Sequence, residues 1–174
     1  SWNESIANDA FMQKYGILTG ADYLRAWIAC MIRHPESPLP YIFLVGPQNT
    51  GKSLCHEALR ECIVDGVVHG GPALISAAAF NGELEGKVLA AIDELDLSQH
   101  KHVAARVKAW TNATYFTVHK KGYQPYDIRN YLHFMQSANE IRALPIEHGD
   151  TRIVVGWVPQ FSGEEIPKEV FIKN

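Results

Sequence analysis

The residues Gly46-Pro47-Gln48-Asn49-Thr50-Gly51-Lys52-Ser53 follow the spacing G-x-x-x-x-G-K-[ST]. That pattern suits one kind of chemistry, the gripping of a phosphate chain. Glycines let the backbone fold around an anion and turn its N–H groups inward. A helix starting at Lys52 points its positive end at the same anion. Lys52 is expected to reach the outer phosphates and Ser53 to offer its hydroxyl to Mg2+, with Gly46 through Leu54 forming the cradle. A second group is Asp93-Glu94, which closes the apolar run Val88-Leu89-Ala90-Ala91-Ile92. An acid at the carboxyl end of a buried strand sits at the sheet edge, beside such a loop. Asp93 is expected to hold Mg2+ through water, and Glu94 to polarise an attacking water. The second acid separates hydrolysis from transfer, because delivery of phosphate to a bound acceptor does not need a water-activating Glu.

These groups need elements to hold them. Tyr41 to Val45 is an apolar run of strand length that leads straight into Gly46. Residues 52–64 read as a helix ending near Gly66. Upstream, 5–33 reads as helical, with Tyr23, Leu24, Trp27, Ile28 and Met31 at helical spacing. Pro35 to Pro40 ends that helix as a linker. Downstream, 72–76 reads as a strand, 77–84 as a short helix and 87–95 as a third strand. A helix is predicted over 98–112, capped by Ser98, with Val103, Val107 and Trp110 on one face. Residues 115–130 carry two β-prone pieces around Lys120-Lys121-Gly122, a hairpin pattern. Two further strands are expected at 131–139 and 152–158. Alternating strands and helices predict a three-layer α/β domain on a mostly parallel five-stranded sheet, with the hairpin inserted. The implied segments are 1–34 helical, 35–40 linker, 41–160 core and 161–174 tail, the tail expected to continue into a longer protein.

Composition bounds the partners. The 174 residues carry a net charge of −3, with 47% hydrophobic and 20% charged side chains. A basic coat for nucleic acid is excluded, so any such contact must come from a local cluster. No apolar run approaches the ~18 residues of a membrane span, and a cytoplasmic setting is expected. Cys55 and Cys62 fall on one helix face and are expected to be a pair of reduced core thiols; with Cys30 they form no metal spacing. His100 and His102 have no further ligands nearby, so zinc is not expected.

Five stretches in order carry a family likeness: WIACMIRHPESPLPYIFLVGPQNTGKS, FNGELEGKVLAAIDELD, VKAWTNATYFTVHKKG, QSAN and GDTRIVVGWV. From about Trp27 to Val158 the chain resembles superfamily-3 helicases, within the AAA+ ATPases. It is most similar to the helicase domain of phage- and plasmid-type primase-helicases, related to poxvirus ones. The resemblance implies a P-loop ATPase that binds ATP and Mg2+. It also implies a homo-oligomeric, hexameric ring, with hydrolysis at subunit interfaces and single-stranded DNA in the channel. By that resemblance Asn139 senses the γ-phosphate, and Arg152 is the finger that reaches a neighbouring subunit, with Arg142 as its rival. Lys120 and Lys121 would track the DNA backbone, flanked by His119 and Tyr123. The family often carries a double arginine where this chain has Thr151-Arg152.

On residue types alone, Asn139 also fits a turn, Arg152 a partner for Asp150, and the lysines a solvated bend. Two other functions share the same loop: a small phosphotransferase, and a nucleotide-binding assembly module with weak turnover.

Overall fold

The computed structural model describes residue 6 and residues 8–76, 80–100, 102–147 and 149–160. At its centre is β1 (Tyr41–Val45), buried at all five positions. Such a strand must be covered on both faces, which explains its continuous apolar run. It pairs in parallel with β6 (His133–Ala138) on one side and β7 (Ile153–Trp157) on the other. Beyond β6 come β3 (Leu89–Asp93) and β2 (Val67–His69), also parallel. The order is β2-β3-β6-β1-β7. A separate antiparallel pair, β4 (Tyr115–Val118) and β5 (Tyr126–Arg129), forms the expected hairpin.

Helices cover both faces. On one, α2 (Gly20–Arg33) and α3 (Lys52–Cys62) bury Trp27, Met31 and Leu59 against Ile42, Leu44, Leu89 and Met135. On the other, α4 (Gly71–Ile75) and α5 (Val103–Asn112) bury Ala73, Leu74, Val103 and Val107 against Tyr41, Phe43, Ile92 and Phe134. Alternate residues of β1 thus serve opposite layers, as strand geometry requires. The Trp27 indole donates to the Pro40 carbonyl at 2.8 Å and ties α2 to the start of β1.

Several boundaries differ from the sequence reading. The helix expected over 5–33 is interrupted: α1 (Ala10–Lys14) ends and Gly16 takes a left-handed φ of 72°. A capping box of Thr19 and Asp22 then starts α2 afresh. The strand expected at 72–76 is the helix α4. Pro72 sits in its first turn, where a missing N–H costs nothing. The edge strand is β2 instead, and the Gly70 N–H continues its ladder to the Ala91 carbonyl at 2.8 Å.

In place of a helix over 77–84, only the 3-10 turn Gly82–Leu84 is seen, with residues 77–79 outside the described residues. Ser98 does not cap α5. Its N–H and hydroxyl both go to Asp96 within the 3-10 turn Leu97–Gln99, and α5 begins at Val103. Cys62, at the last turn of α3, is exposed, whereas Cys30 and Cys55 are half-buried, so a shared core of thiols is not formed. The tail at 161–174 and residues 1–5 of the first segment lie outside the described residues. Among the described residues no helix is long and apolar enough to cross a membrane.

Candidate functional site

Parallel strands bring their carboxyl ends to one edge, and the loop after β1 lies on that edge between β6 and β7. Gly46 lies so close to the end of β7 that an added Cβ would stand 2.1 Å from the Val158 carbonyl oxygen. Only glycine fits there. Asn49 and Gly51 take positive φ values of 61° and 75°, which turn the chain back towards α3. Thr50 is buried and its hydroxyl donates to the Pro47 carbonyl at 3.0 Å, bracing the bend. Among the described residues no side chain caps the start of α3, so its first-turn N–H groups have no side-chain capping bond.

Lys52, 8% exposed, folds back into this bend. Its Nζ donates to the carbonyl oxygens of Gly46 (2.9 Å) and Pro47, and to Thr50 Oγ1 and Asn139 Oδ1, both at 3.3 Å. Asn139 follows β6, which lies between β1 and β3. The strand order therefore places it between the loop and the acid pair. Ser53 and Asp93 meet directly: Ser53 Oγ donates to Asp93 Oδ1 at 2.7 Å. Glu94 has φ 50°, rare for a residue with a side chain, and its N–H donates to the Ser137 carbonyl at 3.0 Å. A cleft of about 440 Å³ is lined by Asn49 to Leu54, Glu57, Asp93 and Glu94. A smaller one of about 170 Å³ adjoins it, lined by Glu94, Asp96, Asn139, Glu140 and Arg142 among others, so Glu94 forms part of both walls.

Two residues at this site carried no sequence expectation. Ser137 lies directly opposite Asp93 in the β3–β6 register and its hydroxyl donates to Asp93 Oδ1. His56 is 2% exposed, and its Nε2 stands 3.8 Å from the same oxygen, too far for a hydrogen bond. Burial pushes the His56 pKa down, which favours the neutral ring, and neither nitrogen has a hydrogen-bond partner among the described residues. Burial also works to raise the Asp93 pKa. The hydrogen bonds from Ser137 and Ser53 outweigh it, and the carboxyl ends below its usual range. The available signals were spacing only: His56 follows Ser53 by three on a helix face, and Ser137 precedes Asn139 by two on one strand face.

The remaining candidates lie elsewhere. Arg152 precedes β7, at the amino ends of the strands, and its carbonyl accepts the Tyr41 N–H at 2.7 Å. From there to Val158, beside Gly46, is six residues (158 − 152), roughly 20 Å of strand. Its guanidinium grips Asp150 through Nε at 2.7 Å and Nη2 at 3.1 Å, and that fork holds the Asp150 carboxyl below its usual range. Arg142, on the turn Ile141–Ala143 after β6, is exposed, pairs with Glu140 and lines the smaller cleft.

In the hairpin, Lys120 is held by Glu85 and lies 5.9 Å from the Tyr126 ring centre, whereas Lys121 and Tyr123 are exposed. Asn81 clamps the hairpin from outside, donating to the Thr117 carbonyl (2.9 Å) and accepting the His119 N–H (2.7 Å). Asn81, expected within a short helix over 77–84, instead forms a buried side-chain bridge.

Residues 44–152 match the family described as "Family of unknown function (DUF5906)", which is more than half of the chain and includes the loop after Val45, both acids, Asn139 and Arg152. The chain belongs to the DUF5906 family. None of the curated proteins compared matches it. Among solved structures, this DUF5906 domain is similar to the apo NrS-1 C-terminal region (305–718), with a TM-score of 0.68 and 21% identity over 90% of this chain and 38% of that one. An A-form apo structure of the same region gives 0.65 and 22%, over 82% and 34%. The DUF5906 domain spans little more than a third of those chains, and the likeness is one of fold.

Proposed function

We propose that this domain is the ATP-hydrolysing motor of a replicative DNA helicase from a phage, plasmid or other mobile element. It works with Mg2+ as a homo-oligomeric ring on single-stranded DNA. One observation carries this: Lys52, Ser53, Asp93 and Glu94, far apart in sequence, line one cleft at the carboxyl edge of the sheet, and Asn139, on the adjoining cleft, accepts from Lys52.

In this reading the Lys52 ammonium exchanges the Gly46 and Pro47 carbonyls for β- and γ-phosphate oxygens. The inward N–H groups of the loop and of α3 hold the same chain. Asn139 keeps its oxygen towards Lys52, leaving its two amide N–H groups for the γ-phosphate or the attacking water. Ser53 and Asp93 offer hard oxygen donors 2.7 Å apart, which suits Mg2+, an ion that takes few protein ligands and completes its shell with phosphate and water. Bound there, Mg2+ neutralises charge that develops on the phosphates. Glu94 is exposed on the shared wall of the two clefts and accepts the proton of the attacking water.

Arg152, roughly 20 Å away along the sheet, serves a neighbour's cleft. A head-to-tail interface of that kind forms a ring where its rotation closes, and the proposal is a ring of six. In the hairpin, Lys121 is free to track phosphates, while Glu85 offsets Lys120.

The test is ATP turnover with and without single-stranded DNA, with no small acceptor supplied. We expect release of inorganic phosphate that rises with DNA, and loss of nucleotide binding in Lys52→Ala. Unchanged nucleotide affinity in that variant would remove the phosphate-loop assignment. Turnover that requires an acceptor would make the domain a phosphotransferase.

A further inference from the structure

A polar pair lies where the core should be driest. Tyr41 and Gln136 are each 0% exposed, among Phe43, Phe134 and Ile92. A buried amide and phenol are costly unless fully bonded. Their bonds lead out of the core in one direction. The Tyr41 hydroxyl donates to Gln136 Oε1 at 2.9 Å, and Gln136 Nε2 donates to the Leu95 carbonyl at 2.9 Å. Burial pushes the Tyr41 pKa up, so the phenol stays a neutral donor.

Leu95 is the residue after Glu94. On its other side, the Glu94 N–H is held by the Ser137 carbonyl at 3.0 Å. Glu94 is therefore pinned at both flanks by adjacent residues of β6, once by backbone and once by a side chain. Between those pins it holds a φ of 50°, a strained value that persists only when its surroundings over-determine it. An apolar residue at 136 would fill the same space in β6 and leave the Leu95 carbonyl without a donor.

We propose that Gln136, oriented by Tyr41, is the positioning residue that fixes Glu94 for catalysis, an assignment that rests on the role given to Glu94 above. Gln136 touches neither nucleotide nor metal; it sets the backbone from which the Glu94 carboxylate projects.

The experiment compares Gln136→Met, Tyr41→Phe and the double variant with wild type. Steady-state ATP turnover, thermal melting and amide hydrogen exchange over residues 93–97 are read on each. Gln136→Met should lower kcat by on the order of ten- to a hundredfold, the effect of loosening a held catalytic geometry, with KM for ATP little changed. Exchange at 93–97 should quicken. Tyr41→Phe should give a smaller loss in the same direction. The double variant replaces both halves of the buried pair by apolar groups, so its melting temperature should recover part of the loss. Its kcat should not recover, because the Leu95 carbonyl still lacks its donor.

Recovery of kcat together with stability would show a merely structural pair and overturn the proposal. So would unchanged exchange at 93–97 in Gln136→Met. Absence of turnover in wild type would sink the motor reading instead, and the exchange comparison would still decide whether Gln136 holds this segment.

Discussion

Replacing Gly46 with alanine probes the loop most directly. The added Cβ would lie 2.1 Å from the Val158 carbonyl oxygen and 3.1 Å from its carbon. An unstrained contact needs about 3.2 Å, so one backbone must move by roughly 1 Å. Neither is free to do so. The Val158 N–H donates to the Val45 carbonyl at 2.8 Å, and the Gly46 N–H to that of Ala138 at 3.3 Å. The φ of Gly46 lies outside the positive range, so the whole cost is steric. Overpacking of this kind costs about 1–3 kcal/mol, and loss of the Val158 bond adds about 1 kcal/mol. For a chain of this size the sum lowers the melting temperature by roughly 5–15 °C.

The same displacement should swing the loop's N–H groups away from the phosphates of the proposed nucleotide. Each 1.4 kcal/mol lost there is about tenfold in affinity. Circular dichroism melts and calorimetric ATP titration read the two effects. Gly51→Ala is the control of opposite kind: open space surrounds its Cβ, but its φ of 75° disfavours alanine. That costs about 1–2 kcal/mol, so Gly46→Ala should be the more damaging of the two. A Gly46→Ala protein that melts within about 1 °C of wild type and binds ATP equally well would refute the idea that this close approach shapes the loop.

Three other outcomes are expected. Arg152→Ala should keep ATP binding and lose turnover, and mixing it with Glu94→Gln protein should restore part of the activity at hybrid interfaces; wild-type hydrolysis by Arg152→Ala at high dilution would exclude a finger role. In the hairpin, Lys121→Ala should lower the salt slope of single-stranded DNA binding by about 0.7, and Glu85→Gln, which releases Lys120, should steepen it by a similar amount; identical slopes would show that DNA does not meet this turn. Asp93 has a folded pKa below its unfolded one, so its bonds add stability above the unfolded value, and that stability is lost as the pH falls through the folded value. Ser137→Ala removes one of those bonds and should therefore flatten the acid limb of the melting curve below about pH 4; an unchanged limb would mean that Ser137 does not hold this carboxylate.

The sheet was largely legible in the sequence because its inner strands are buried on both faces. Such strands read as apolar runs, as β1 and β3 do, and β6 and the partly buried edge strand β7 also lie where strands were expected. The loop was legible because glycine spacing and a Lys-Ser pair are local features, as is the Lys-Lys-Gly bend. Reading failed where a short apolar run has no period. Pro72 to Ser76 suits strand or helix, and the proline in a first turn with β2 already beside β3 decided for helix. Ser98 failed for another local reason: Asp96 competes for its N–H and hydroxyl.

By itself, then, the sequence determined the glycine-spaced loop with its Lys-Ser pair, the acids that close a buried strand and the α/β architecture, since each is written in neighbouring residues. Only the tertiary structure decided which distant groups meet. The order β3-β6-β1 sets Asn139 against Lys52 and Ser137 against Asp93, and it brings Gln136 under the segment of Glu94. It also sends Arg152 to the far edge of the sheet and leaves Lys120 tied to Glu85. The reason is physical: spacing along a chain fixes which face a side chain takes, but strand order and register, set by packing of the whole core, fix what that face meets.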